Sequence, residues 1–198
     1  MPERAVFLDR DGTINEEVGF LNNPDQLKLI TGTAEALKLL NNMGFLTVVI
    51  SNQSGIARGF LTEDRLLEIN RELTTMLRES GAIIDKIYYC PHHPDAEISR
   101  YHRDCDCRKP NPGMLRRAAE ELSVDLQKSF VIGDKISDLT AGFAAGCRTV
   151  LVLTGYGRKS QQRIGELSFA PDFIAQDLLD AARWIRRKTL EVSKTSSV

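Results

Sequence analysis

The chain has 198 residues, of which 42% are hydrophobic and 27% charged, a composition typical of a globular protein with a sizeable core. A formal net charge of −1 excludes the strong basic field of a general nucleic-acid binder. No apolar run approaches the roughly 18 to 20 residues of a membrane span, and no signal-like segment precedes the first apolar run. These features predict a cytoplasmic protein with no membrane partner.

Short apolar runs alternate along the chain with amphipathic helical stretches, which is typical of a mostly parallel sheet with helices on both faces. The predicted strands cover residues 5–8, 46–50, 83–89, 130–132 and 149–153, with a last one near Phe173. The predicted helices cover residues 33–43, 63–80, 114–122, 136–145 and 178–187. The pattern predicts one α/β domain over residues 1–190, a three-layer sandwich, followed by a frayed tail over residues 191–198.

Two carboxylates, Asp9 and Asp11, follow the first strand, with Gly12 allowing a tight turn directly after them. In open α/β sheets, ligands bind at the carboxyl ends of the strands. One carboxylate can attack phosphorus, and the other can protonate the departing oxygen. Because two neighbouring acids repel each other, a magnesium ion is the expected companion. An isolated pair of this kind also fits an ordinary turn, so its meaning depends on the other strand ends.

Three further segments lie at predicted strand or helix ends. The second strand ends in Ser51-Asn52-Gln53-Ser54, whose hydroxyls and amides suit phosphate oxygens. Arg108 and Lys109 precede a helix start, where charge and free amides favour an anion. The fourth strand is followed by two acids, Asp134 and Asp138, which complete a metal site or cap the next helix. Each segment alone also reads as a polar turn, but the four together predict a phosphoryl-transfer site.

The segment between residues 90 and 107 has no periodicity and is too long for a simple turn, so it needs its own stabiliser. It contains three thiols and an imidazole, at Cys90, His92, Cys105 and Cys107. Three sulfurs and one nitrogen suit tetrahedral Zn²⁺, and four protein ligands make a closed, structural site. His93 and His102 remain alternatives to His92. The sequence predicts a zinc loop that leads directly to Arg108.

Together the four strand-end segments, from Asp9 to Asp138, resemble the haloacid dehalogenase (HAD) superfamily of phosphotransferases. The resemblance implies a HAD-like Rossmannoid fold and a Mg²⁺-dependent phosphomonoester hydrolase. Asp9 would be the nucleophile and Asp11 the acid/base, while Ser51 and Lys109 would steady the phosphoryl group. Asp9, Asp11 and Asp134 would hold Mg²⁺, with Asp138 as a secondary support.

The chain also resembles, nearly end to end, a group of phosphatases of heptose bisphosphates that lack a cap domain. The segments that carry this resemblance include residues 7–15, 51–59, 88–94 and 105–110. It implies removal of the 7-phosphate of a heptose 1,7-bisphosphate in lipopolysaccharide synthesis, with Arg108 recognising the other phosphate. The residues expected to contact substrate are Glu17, Val18, Gly19, Phe20, Ser51, Asn52, Gln53, Ser54, Arg108, Lys109 and Lys135. Cap domains in this superfamily are inserted after the first or the third strand. Here residues 12–45 hold only a loop and one helix, and residues 90–107 hold the predicted zinc loop, so neither segment has space for a cap domain.

Other interpretations remain open from the sequence. Histidinol-phosphate phosphatases are related enzymes without a cap that carry a similar zinc loop. Phosphatases of nucleic-acid 3′ ends are more distant, and the zinc loop argues against them. A sugar-phosphate sensor without catalysis would use the same fold. The sequence does not distinguish the α from the β anomer of the bisphosphate, and a monomer is the default expectation.

Overall fold

The computed structural model describes residues 3–195, with side chains described through residue 191. Six strands form one sheet: β1 Ala5–Leu8, β2 Leu46–Asn52, β3 Lys86–Cys90, β4 Phe130–Gly133, β5 Arg148–Val152 and β6 Phe173–Ala175. Seven α-helices flank it: α1 Thr33–Asn42, α2 Ser54–Ala57, α3 Glu63–Glu79, α4 Gly113–Leu122, α5 Ile136–Ala145, α6 Gly157–Gln161 and α7 Leu178–Thr195. Every predicted strand and long helix is present, and none of the helices within residues 3–195 combines the length and apolar character of a membrane span.

The sheet is entirely parallel, with strand order β3-β2-β1-β4-β5-β6. The chain runs outward from β1 through β2 to β3, and then returns to place β4 on the other side of β1. This reversal makes the carboxyl end of β1 a topological switch point, where open α/β sheets bind ligands. No separate cap domain covers this edge in the described part of the chain, as the sequence predicts.

Both faces of β1 are buried, because its side chains alternate between two apolar layers. Val6 and Leu8 pack into the larger core with α1, α3 and α7. Ala5 and Phe7 pack into the smaller core with α4 and α5. The strand therefore presents no polar side chain until it ends, and Asp9 is the first one available at the switch point.

Most predicted boundaries lie within two residues of the structure, and two differ by more. Strand β3 begins at Lys86 rather than Ile83, because side chains replace the strand pairing before it: Thr47 Oγ1 donates to Ile83 O at 2.6 Å, and Thr47 N donates to Asp85 Oδ2 at 2.7 Å. Helix α7 continues to Thr195 rather than ending at Arg187, because no glycine or proline interrupts it. The expected tail is therefore helical over residues 191–195, while residues 196–198 lie outside the described residues.

Candidate active site

A cleft of about 320 Å³ opens at the carboxyl ends of β1, β2 and β4. Most of the residues singled out in the sequence line it: Asp9, Asp11, Glu17, Gly19, Phe20, Ser51, Asn52, Gln53, Ser54, Arg108, Lys109, Lys135 and Asp138. Asp134 lies beneath the cleft with no exposed surface, and Val18 is 47% exposed outside its lining. Residues more than a hundred positions apart are thus brought to one edge of the sheet.

Asp9 and Lys109 form a buried ion pair at the floor of the cleft. Lys109 Nζ lies 2.8 Å from Asp9 Oδ1 and 2.6 Å from Asp138 Oδ1, and it donates to Ile50 O at 2.7 Å. Burial is the largest influence on the pKa of Asp9 and would raise it, but Lys109 and Lys135 outweigh burial and hold this pKa at about 2. Asp9 is therefore an ionised, partly desolvated carboxylate, which is the state a nucleophile needs.

Four oxygens converge on one cationic group, the Lys135 ammonium. Its Nζ lies 3.4 Å from Asp9 Oδ2, 3.2 Å from the Asp11 carbonyl oxygen, 3.3 Å from Glu17 Oε2 and 3.4 Å from Asp134 Oδ1. One positive charge can therefore be contacted at the same time by the carboxylates of Asp9 and Asp134 and by the carbonyl oxygen of Asp11.

Asp134 fits the role of a metal ligand. Its buried Oδ1 accepts no hydrogen bond and faces the Lys135 ammonium at 3.4 Å, while its Oδ2 accepts the Tyr156 N–H at 2.7 Å. Burial, reinforced by the charge of Asp9, raises the pKa of Asp134 to about 8, so a further cation is needed to keep both acids ionised at neutral pH. Oxygen atoms of Asp9, Asp134 and Asp138 lie within 4.8 Å of one another. A hard divalent cation such as Mg²⁺ suits this set of oxygens.

The Asp11 carboxylate points away from the acidic group and is held by three neighbouring side chains. Arg10 approaches it with two nitrogens, Nε at 3.1 Å and Nη2 at 2.9 Å. Asn15 Nδ2 donates to Oδ1 at 3.0 Å, and Gln53 Nε2 donates to Oδ2 at 2.9 Å. Asp11 consequently faces the other acids with its carbonyl oxygen. Its carboxylate is held apart from them by Arg10, Asn15 and Gln53, and is free to take a different chemical role.

The end of β2 positions both the Ser51 hydroxyl and Lys109. Ser51 is 2% exposed and its Oγ accepts from Gln53 Nε2 at 2.7 Å. The Asn52 side chain makes two hydrogen bonds with the Lys109 main chain. Its Nδ2 donates to Lys109 O at 2.9 Å, and its Oδ1 accepts from Lys109 N at 3.0 Å. The lysine is therefore fixed at its backbone as well as at its ammonium.

Gly12 has a conformational and a steric role. Its φ is +90°, a value that L side chains rarely adopt, and a Cβ there would overlap the Asp134 carboxylate. The turn after Asp11 can thus approach Asp134, the residue that follows β4, only because position 12 is glycine.

The Cys-His cluster forms as predicted, with His92 rather than His93 or His102 at its centre. The sulfurs of Cys90, Cys105 and Cys107 lie 3.1–3.5 Å apart, and His92 Nδ1 is 3.4 Å from Cys107 Sγ. His93 instead faces Arg58, with 3.3 Å between His93 Nε2 and Arg58 Nη2. The hydrogen bond between Cys107 and Cys90 is the largest influence that lowers the pKa of the Cys107 thiol to about 5, so the cluster readily supplies a thiolate. Three sulfurs and one ring nitrogen suit Zn²⁺.

Arg108 connects this cluster to the cleft. It follows Cys107 directly, and its Nη1 donates to the His92 carbonyl oxygen at 3.0 Å. Arg108 lines the cleft beside Lys109. The loop held by the cysteines and His92 thus determines where a cleft cation lies.

Sequence reasoning missed several side chains of the site. Arg10 is almost completely buried beside Asp11, and Asn15 supports the same carboxylate. Thr154 and Tyr156 follow β5, where Thr154 Oγ1 donates to Gly12 O at 2.6 Å. A polar segment after the fifth strand was a signal that could have pointed to these last two. Arg10 stands between Asp9 and Asp11 in the chain, and nothing in that sequence indicates that its side chain is buried.

Comparison with known proteins agrees with the geometry. A family model described as HAD-hydrolase-like matches residues 106–181. The fold, the strand-end acids and the buried lysine define a hydrolase of the HAD type. A D-glycero-β-D-manno-heptose-1,7-bisphosphate 7-phosphatase from Yersinia pestis is 42% identical over 185 residues, which cover 93% of this chain and 96% of the relative. The protein of the same name from Pasteurella multocida is 48% identical over 154 residues, which cover 77% and 83%. The chain belongs to this family of heptose bisphosphate phosphatases.

A solved structure agrees with this assignment. The D,D-heptose 1,7-bisphosphate phosphatase from B. bronchiseptica, complexed with magnesium and phosphate, superposes with a TM-score of 0.84 at 34% identity. The match covers 93% of this chain and 99% of that one, so the similarity extends over the whole domain.

Proposed function

We propose that this chain hydrolyses the 7-phosphate of D-glycero-β-D-manno-heptose 1,7-bisphosphate. The products are heptose 1-phosphate and inorganic phosphate, for synthesis of nucleotide-activated heptose. The choice of substrate and anomer is supported by the Yersinia pestis relative, whose name specifies both, at 42% identity over 93% of the chain. The chemistry is supported chiefly by one observation, the ionised and buried Asp9 held by Lys109 at the floor of an open cleft.

The reaction proceeds in two steps on Asp9. A carboxylate oxygen of Asp9 attacks phosphorus, the bond between phosphorus and the 7-oxygen breaks, and Asp11 gives that oxygen a proton. Water then attacks the aspartyl phosphate, Asp11 takes a proton from it, and phosphate leaves with Asp9 regenerated. Lys109 and Ser51 hold the charged phosphoryl oxygens during both transfers.

The residues that would hold Mg²⁺ are Asp9, Asp11 through its carbonyl oxygen, and Asp134. When bound, magnesium supplies positive charge that offsets the repulsion between Asp9 and the phosphoryl oxygens. Asp138 acts indirectly in this arrangement, because its carboxylate holds Lys109 at 2.6 Å and accepts the Lys135 N–H at 3.0 Å. It therefore orients the Lys109 ammonium and fixes the main chain of Lys135 at the start of α5.

The rim of the cleft selects the substrate. Glu17, Gly19, Phe20, Asn52, Gln53, Ser54 and Lys135 line this cleft, and the exposed Val18 lies beside Gly19 in the chain, where it would contact a bound substrate from outside the lining. Arg108 binds the phosphate that is not cleaved, because a guanidinium can contact two phosphate oxygens at once. The zinc loop performs no chemistry, since its four protein ligands leave no open position; it fixes Arg108.

We also propose that the protein works as a single-domain, cytoplasmic monomer, the domain ending near residue 190. The four cysteines are free thiols, which suits a reducing compartment. Three large exposed apolar side chains do not form one helical stripe, because Leu67 lies on α3, Phe143 on α5 and Ile83 in the loop before β3. Light scattering should therefore give a mass near 22.1 kDa, and a dimer mass would overturn the monomer.

The test is phosphate release from both anomers of heptose 1,7-bisphosphate, with histidinol phosphate at equal concentration as the competing substrate. We expect the β anomer to have the highest kcat/KM, and activity to disappear with EDTA and return with Mg²⁺. Preference for the α anomer would move the protein to another branch of heptose activation. Preference for histidinol phosphate would refute the substrate and leave the role of Asp9 intact.

A further inference from the structure

Arg10 is the largest side chain of the protein with essentially no solvent exposure, at 1%. Its charge is satisfied by one acid and one amide among the described residues. Nε and Nη2 face the Asp11 carboxylate, with Nη2 at 3.0 Å from Oδ1 and 2.9 Å from Oδ2. On the opposite side, Nη1 donates to Asn70 Oδ1 at 3.1 Å. A guanidinium is planar, so fixing both ends of it fixes the orientation of the carboxylate it holds.

Asn70 is remote from the cleft. It lies on α3, is 8% exposed, and borders a separate surface groove between α3 and β3. It is not among the residues that line the cleft. The hydrogen bond from Arg10 Nη1 to Asn70 Oδ1 is the side-chain contact that connects Asn70 to Asp11.

The donors around Asp11 are distributed unequally between its two oxygens. Oδ1 accepts from Arg10 Nε, Arg10 Nη2 and Asn15 Nδ2. Oδ2 accepts from Arg10 Nη2 and from Gln53 Nε2, and Gln53 is itself a cleft residue that also donates to Ser51. Oδ1 thus has three donors from the side chains of Arg10 and Asn15, whereas Oδ2 has two donors, one of which belongs to the cleft residue Gln53.

We propose that Asn70 and Arg10 are positioning residues for Asp11, holding its carboxylate so that Oδ2 exchanges the proton with the leaving oxygen and with water. This inference rests on the proposed function, because it requires Asp11 to be the acid/base. Removing Asn70 leaves the Arg10 Nη1 donor without its acceptor, so the guanidinium and Asp11 rotate together. Small displacements of a proton donor reduce the rate steeply.

A double-mutant cycle tests whether Asn70 acts through Asp11. In the full-length chain with Mg²⁺, we expect Asn70→Leu to lower kcat roughly tenfold with little change in KM, as part of the factor of about 10² to 10⁴ that general acid catalysis supplies. In an Asp11→Asn background the same substitution should change kcat less than about twofold. Thr74→Val is the matched control, because Thr74 lies one turn further along α3 and donates to Asn70 O, not to Arg10. It should retain wild-type kcat.

A second measurement separates positioning from loss of folded protein. For p-nitrophenyl phosphate, whose phenolate departs without a proton, kcat/KM should fall less in Asn70→Leu than it does for the sugar bisphosphate. Arg10→Lys, which keeps the charge but loses one of the two anchors, should show the same selectivity. Equal losses of kcat in both backgrounds, or no loss in either, would overturn the inference. An unchanged kcat in Asp11→Asn would instead refute the acid/base role in the proposed function.

Discussion

The acidic cleft and the cysteine loop are neighbours in space, yet they are organised by different forces. Asp9 and Asp134 are brought together because they directly follow β1 and β4, two neighbouring strands whose apolar residues are buried in two cores. The cysteine loop contains only one short 3₁₀ helix, Ser99–Tyr101, between β3 and α4, and its compact part is the cluster of three thiols and His92. The comparison indicates that the fold preorganises the acidic cleft, whereas the loop that carries Arg108 is proposed to depend on a bound metal ion.

The largest expected effect comes from changing the nucleophile within the preorganised region. Asp9→Asn should lower kcat by at least about 10⁴-fold, because an amide cannot form the aspartyl phosphate. The fold should persist, since Lys109 keeps its second carboxylate, Asp138, at 2.6 Å. Phosphate release at high enzyme concentration and circular dichroism together test this. Substantial remaining turnover in folded protein would show that another group attacks phosphorus.

Lys109→Ala should produce a smaller kinetic effect and a larger effect on stability. Removing one donor to transition-state charge costs about 10² to 10³ in kcat. It also leaves Asp9 and Asp138 buried without their shared cation, and breaking a buried pair costs about 3–5 kcal/mol. Urea unfolding with and without Mg²⁺ measures the second effect, which should be smaller when Mg²⁺ is present. Equal destabilisation in both conditions would show that the metal does not share this charge.

Cys107→Ser breaks the other region and should leave the chemistry largely intact. We expect loss of bound zinc, faster proteolysis between residues 91 and 104, and a raised KM with kcat changed less than KM. Metal analysis, limited proteolysis and kinetics are the measurements, with Cys147→Ser as the control. Cys147 is buried in the smaller core, far along the chain from the cluster, and should not alter zinc content. A variant that retains zinc, or loses kcat rather than affinity, would contradict the separation of the two regions.

The same contrast explains how much the sequence predicted. Strand ends are recognisable because the apolar periodicity stops where polar residues begin, so the sequence alone predicts Asp9, Ser51 and Asp134 at one edge of the sheet. The cysteine spacing predicted the cluster, but not which histidine joins it. His92 and His93 are adjacent, and only the path of the loop turns one toward the thiols and the other toward Arg58.

Contacts between distant elements were beyond sequence reasoning. Asn70 reads as a polar residue on an amphipathic helix, and Arg10 as a solvated strand-end cation, because single-residue properties favour exposure for both. Their burial follows from how α3 packs beside β1, which no local pattern records. Strand β3 likewise starts late because Thr47 and Asp85 pair through side chains, a tertiary choice. Periodicity therefore located the elements, and packing determined which polar groups serve the site.

The smallest expected effect lies where the two regions meet, at the neighbours Arg108 and Lys109. Arg108→Lys keeps the positive charge but loses the fork that contacts two phosphate oxygens, and one lost charged hydrogen bond is worth about 1.5–3 kcal/mol. KM for the bisphosphate should therefore rise roughly tenfold or more, with kcat nearly unchanged. A sugar carrying only the 7-phosphate should show no such rise, because it lacks the group that Arg108 is proposed to bind. A matching rise in KM for both substrates would place Arg108 on the transferring phosphoryl group. Arg108 and Lys109 would then both act on the reacting phosphate, and the zinc loop would not fix a cation for recognition of the other one.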